Sequence, residues 1–165
     1  MTQPIRKWRV LYVRPRYEKK VEQQLLDAAI EVFLPLHETI RQWSDRKKKV
    51  VLPLFPGYLF VHVDEKERNT TFEVAGVLKY VHFNGKVAEV RPGLIDSLRI
   101  LVHGAPEIET TSDRLPLGSE IRIRYGPLAG MKGHLVEYRG NRKVAVVIEA
   151  IGQTVMVEVP VAELG

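Results

Sequence analysis

Beyond about residue 115 the chain offers no apolar run with helical spacing. The segments "EIRIR", "GHLVEYR", "KVAVVIEAI" and "TVMVEVP" are short, rich in β-branched residues and separated by glycine-bearing turns. Such segments read as strands, and roughly 50 residues of this pattern suit a small all-β barrel. Just upstream, "HGAPEIETTSDR" loses hydrophobicity and gains Pro, Ser, Thr and charge, which is the composition of a flexible linker. The expected organisation is a domain over residues 1–102, a linker over 103–114 and a second domain over 115–165.

The first domain mixes two periods. "WRVLYVR" carries apolar residues at both alternating sets of positions, as a strand buried on both faces would. After Pro15 the spacing changes, and Val21, Leu25, Ala28 and Val32 fall on one face of a helix while Glu18, Lys19, Glu22 and Gln23 face water. "VFLPLHETIRQW" and "KKVVLPLFPGYLFVHV" read as one long hairpin with a basic tip. "KERNTTFEVAGV" suggests a short helix, and Asn84-Gly85 between "LKYVHF" and "KVAEV" marks a tight hairpin turn. "GLIDSLRILV" then supplies a second amphipathic helix to close the domain. The fold class is α+β: an antiparallel sheet flanked by helices, followed by the barrel.

Composition removes several function classes. With no cysteine, thiolate metal sites, disulfides and cysteine nucleophiles are excluded. The five histidines are scattered with no ligand spacing, and "YGPLAGMKGH" lacks the G-K-[ST] end of a phosphate loop, so neither metal nor nucleotide cofactor is expected. No nucleophile, base and orienting group assemble, so the chain reads as a non-enzyme. No window of roughly 18 apolar residues exists and the start lacks a secretory core, which predicts a cytoplasmic protein without membrane contact.

Charge points to a partner. Through Val102 there are 18 Lys+Arg against 12 Asp+Glu, and from His103 onward 7 against 8, so the basicity belongs to the first domain. Arg41, Arg46, Lys47, Lys48 and Lys49 surround Trp43 at the hairpin tip, while Arg14, Arg16, Lys19 and Lys20 cluster after the first strand. Phosphate contact is one reading of these groups. A solvated tip that keeps strand edges apart is the other. The stretch "LPLFPGYLFVHV" is similarly open: Tyr58, Phe60 and His62 alternate with Leu59, Val61 and Val63, and the aromatic side is either core or an exposed partner patch.

"WRVLYVRPRYEKKVEQQL", "FLPLHETIRQWSDRKKKVVLPLFPGYLFVHV", "GVLKYVHFNGKVAEV" and "LPLGSEIRIRYGPLAGMKGHLVEYRG", in this order, resemble the NusG family of transcription elongation factors over almost the whole chain. "RPRYEKKV" and "RQWSDRKK" look most like its specialised antiterminators of the UpxY type. The resemblance implies an NGN domain followed by an SH3-like KOW barrel, in a monomer that binds the clamp helices of RNA polymerase and promotes processive elongation or antitermination. It places the polymerase-binding patch at Tyr12, Phe55, Pro56, Tyr58 and Phe60. It directs Arg14, Arg16, Arg46 and Lys47 toward upstream or non-template DNA. In the KOW domain Leu128, Met131, Ile151 and Gln153 stand on the surface that meets Rho or a ribosomal protein, and they depart from the housekeeping pattern. The rivals are a housekeeping factor that also stimulates Rho and a KOW-type ribosome or RNA binder using Arg122, Arg124, Lys132 and Arg139.

Overall fold

The computed structural model describes residues 4–160 and Glu163. The outer limits expected for the two domains, at residues 1 and 165, lie outside the described residues. Contacts divide the chain into two compact units, residues 1–90 and 91–165.

The first unit contains β1 (Lys7–Val13), α1 (Glu18–Asp27), β2 (Glu31–Phe33), β3 (Leu36–Gln42), β4 (Lys47–Pro53), β5 (Tyr58–Val63), α2 (Glu65–Thr70), β6 (Val77–Tyr80), β7 (His82–Phe83), β8 (Lys86–Val87) and β9 (Glu89–Val90). An antiparallel sheet runs β2-β5-β1-β6, and β9 pairs with β1 beyond the end of β6. β1 is central, as its two apolar faces predict. Leu11, Val13, Leu59, Val61 and Val63 turn to one side and pack with Val21 and Leu25 of α1. That helix is shorter than its apolar spacing predicts: Ala28 is an exposed C-cap, and Ala29 takes a left-handed φ of 61°.

The expected long hairpin is cut into two. β2 and β5 pair inside the main sheet, whereas β3 and β4 form a separate two-stranded arm from Leu36↔Pro53 to Gln42↔Lys47. Pro35, Pro53 and Pro56 cannot donate a ladder hydrogen bond, so the long pairing breaks where they stand. The other hairpin forms as its turn residues dictate. Asn84 and Gly85 both have positive φ, 54° and 79°, joining β7 to β8 in the two-residue turn that matches strand twist.

The second unit holds α3 (Pro92–Gly104), β10 (Glu109–Thr111), β11 (Glu120–Arg122), β12 (Lys132–Tyr138), β13 (Asn141–Ile148) and β14 (Gln153–Val157). Its strands form an open antiparallel sheet, β10-β14-β13-β12-β11; no pairing closes it into a barrel among the described residues. Val136, Ala145 and Met156 form the centre of one packed cluster. Two features depart from the sequence expectation. α3 counts with this unit rather than the first: Ser97 Oγ accepts the Lys132 N–H at 3.2 Å, and Gly104 lies so close to Pro127 that a Cβ would come within 2.5 Å of its carbonyl oxygen. The stretch expected as a linker also supplies β10, whose Glu109 pairs with the buried Lys143.

α2 begins in a capping box. Asp64 accepts the Glu67 N–H at 2.8 Å, and Glu67 accepts the Asp64 N–H at 3.1 Å while also pairing with Arg6 at 2.8 Å. The Glu67 N–H is the main cause holding the Asp64 carboxyl below its ordinary value of 3.8. Because the folded pKa is the lower one, this contribution to stability is complete above the unfolded value and is lost as pH falls through the folded value. Asp64→Asn keeps a cap acceptor but cannot titrate. Urea unfolding is expected to show a smaller loss of stability between about pH 6 and about pH 3 in this variant than in the parent chain.

Candidate functional site

The side of the main sheet opposite α1 is aromatic because of register. β1 and β5 pair Trp8↔His62, Val10↔Phe60 and Tyr12↔Tyr58, and directly opposed residues share a face. Tyr12 and Tyr58 lie 5.2 Å apart between ring centroids, and Trp8 stacks on His62 at 5.0 Å. Phe60 meets Phe55 edge-on at 6.5 Å and Phe33 at 6.0 Å. The five residues expected to form a partner patch are therefore assembled in one place. Their exposure departs from the patch that the resemblance implies: Phe60 is 0% and Phe55 2% exposed, Tyr12 and Tyr58 are half-buried, and Pro56 is exposed. The accessible strip is Tyr12, Pro56 and Tyr58, with Phe55 and Phe60 as its buried support.

A buried carboxylate holds the strip in shape. Glu18, expected on the solvent face of α1, is only 4% exposed and its Oε2 accepts the Gly57 N–H at 3.0 Å. Gly57 has a φ of +86°, and a Cβ there would sit 3.1 Å from Tyr12 Cε2. Its carbonyl accepts the Val13 N–H at 2.8 Å. The F-P-G-Y turn is thus tied to the first turn of α1, to the end of β1 and to the Tyr12 ring. Spacing on α1 could not reveal this role, since the partner lies 39 positions away.

The basic residues form two groups. Arg14 and Arg16 are exposed in the turn after β1, where Arg16 has a left-handed φ of 73°. The Arg14 guanidinium lies 5.2 Å and the Lys20 ammonium 5.5 Å from the Tyr17 ring centroid. The second group is the arm. Lys19 Nζ donates to the Val51 carbonyl at 2.9 Å, which fixes the arm's base to α1. From there β4 extends about 13 Å toward the turn, at the usual rise per residue. Residues 41–49 are all exposed, and among the described residues no ion pair joins Arg41, Arg46, Lys47, Lys48 or Lys49 to a carboxylate.

In the second unit the surface expected at Leu128, Met131, Ile151 and Gln153 is half covered. Met131 is 0% and Leu128 4% exposed, whereas Ile151 and Gln153 are partly exposed. For Leu128 the neighbour is α3, whose Gly104 lies close to it, while Ile100 of the same helix lies near Gly130. Among the described residues no group of three or more acidic, His or Cys side chains could hold a metal ion, and no helix is long and apolar enough to cross a membrane.

The family model described as "Transcription termination factor nusG" matches residues 6–99, more than half of the chain. The transcription termination/antitermination protein NusG of Staphylococcus carnosus is 27% identical over 171 residues, covering 93% of this chain and 92% of the relative. Its counterpart in Staphylococcus epidermidis is 28% identical with the same coverage. A solved structure of Thermotoga maritima NusG, titled for its domain interaction, aligns over 96% of both chains at 23% identity with a TM-score of 0.49.

The Gly57 contacts set an order of effects. Glu18→Ala leaves a buried N–H without its acceptor and is expected to cost about 1–3 kcal/mol in urea unfolding. Glu18→Gln keeps an acceptor oxygen and should cost less. Equal losses from both would contradict the hydrogen bond as the source of the effect.

Proposed function

The chain belongs to the NusG family of transcription termination/antitermination factors, and on that premise we propose that it is an elongation factor that tethers itself to the RNA polymerase clamp. The first unit acts as the NGN domain, and the strands after residue 115, whose described sheet is open, act as the SH3-like KOW domain. The observation that carries this reading is the strip of Tyr12, Pro56 and Tyr58, seated on Phe55 and Phe60 and fixed by the Glu18–Gly57 bond. Aromatic side chains held rigidly give large contact area for little entropy lost, which is why they dominate protein interfaces.

No chemistry on the polymerase is required. A factor that binds the closed clamp more tightly than the open one shifts the enzyme toward the elongating state by that difference, about 1.4 kcal/mol for each tenfold. Arg14, Arg16, Arg46 and Lys47 support contact with upstream or non-template DNA, since all four are exposed on the unit that carries the strip. The protein works as a specialised, operon-targeted monomer in the cytoplasm, and burial of Leu128 and Met131 leaves Ile151 and Gln153 as its contact with Rho or a ribosomal protein. A housekeeping role is the second reading, favoured by relatives named for both termination and antitermination and matched over 93% of the chain. Enhancement of Rho-dependent termination would favour it, and suppression the specialised role.

The test is binding to the core RNA polymerase of the same organism. Replacing Tyr12 and Tyr58 by Ala is expected to weaken binding by roughly 30-fold or more, the loss of a hot-spot anchor, with the circular dichroism spectrum unchanged. Undiminished affinity in a folded variant would overturn the tether.

A further inference from the structure

We propose that Trp43 is a stacking platform for an unpaired base, so that the basic arm binds single-stranded nucleic acid rather than duplex. This rests on the nucleic-acid contact in the function proposed above and specifies its form. Extending the β3–β4 register by the Trp43 N–H bond to the Arg46 carbonyl, 2.8 Å, puts Arg41, Trp43, Arg46 and Lys48 on one face at the arm's end. Lys48 Nζ stands 5.5 Å from the centroid of the Trp43 ring. Trp43 nevertheless stays 53% exposed, although large apolar side chains elsewhere in both units are mostly buried. The arm gains nothing for the core by keeping a tryptophan there.

The setting has the composition of a single-strand site. Such sites pair a cationic track for the phosphates with an aromatic face that any base can stack on. Here the cations at residues 41, 46, 47, 48 and 49 have no ion-pair partner among the described residues and are free to meet phosphates. In duplex DNA the bases are already stacked, so the phosphates would remain available but the ring would have no base to cover without unstacking a step. The lysine over the ring adds a cation beside the stacked base, where it can reach the adjoining phosphate.

Tryptophan fluorescence tests this in the full chain, because the only other tryptophan, Trp8, is 6% exposed and stacked on His62. The probes are an oligothymidylate of about 15 nucleotides, the same strand in duplex, and polyglutamate of matching charge. The single strand is expected to quench emission and to bind more tightly than the duplex. In anisotropy of a fluorescein-labelled oligonucleotide, which reads the variants that lack the Trp43 reporter, Trp43→Ala should weaken single-strand binding roughly 5- to 150-fold, Trp43→Phe should restore most of it, and Lys47→Gln with Lys49→Gln should weaken binding of both single strand and duplex and lower the salt dependence. Equal single-strand binding by the parent chain and Trp43→Ala, without quenching, would overturn stacking while leaving phosphate contact standing. Quenching by polyglutamate as strong as by the oligonucleotide would overturn it in favour of an acidic protein surface. Absence of binding to either strand would overturn both the stacking and the nucleic-acid contact it rests on, and would leave the polymerase tether to its own test.

Discussion

Much of the first unit's surface hangs on one hydrogen bond, from the Gly57 N–H to the buried Glu18 carboxylate. The F-P-G-Y turn interrupts a strand pairing, so its backbone donor has no ladder partner, and a buried donor left without one is costly. α1 supplies the acceptor from its first turn. The same helix ties down the basic arm one residue later, through Lys19 and the Val51 carbonyl. Adjacent residues of one helical turn thus position both the aromatic strip and the cationic arm, which is how one rigid body can present two unlike surfaces.

The two surfaces differ in how they would work. The strip is small, aromatic and backed by buried phenylalanines, so its shape is set before any partner arrives and little ordering remains to be done on binding. The end of the arm, residues 41–49, is exposed and its cations have no ion-pair partner among the described residues, so its contribution should be long-ranged, sensitive to salt and indifferent to sequence except where a base is stacked. A tether of the first kind and a guide of the second would be complementary parts of the polymerase-bound factor proposed above.

Legibility in the sequence followed the range of the interactions. β1 as a central strand, the apolar face of α1 around Val21 and Leu25, the Asn84-Gly85 turn and the strand character after residue 115 depend on local periods and turn chemistry, and these were readable. The burial of Glu18, Phe55 and Phe60 was not, because each depends on residues distant in the chain. Alternation said that Phe60 and Leu59 face opposite sides, but not that both sides are covered. The amphipathic spacing of α3 likewise revealed an apolar face without revealing which sheet receives it, and so Leu128, expected at a surface, is buried beside it. Pro35 and Pro53 carried a signal that was available: a proline at each base of the arm divides one long hairpin into two.

The most direct measurement is site-specific photo-cross-linking to core RNA polymerase, with the cross-linker placed in turn at Tyr58, at Trp43 and at Ile151. The account predicts a polymerase product from position 58 that is lost when unlabelled protein competes for the clamp. Cross-links from positions 43 or 151 with none from 58 would contradict it, and would return the aromatic face to a purely structural role.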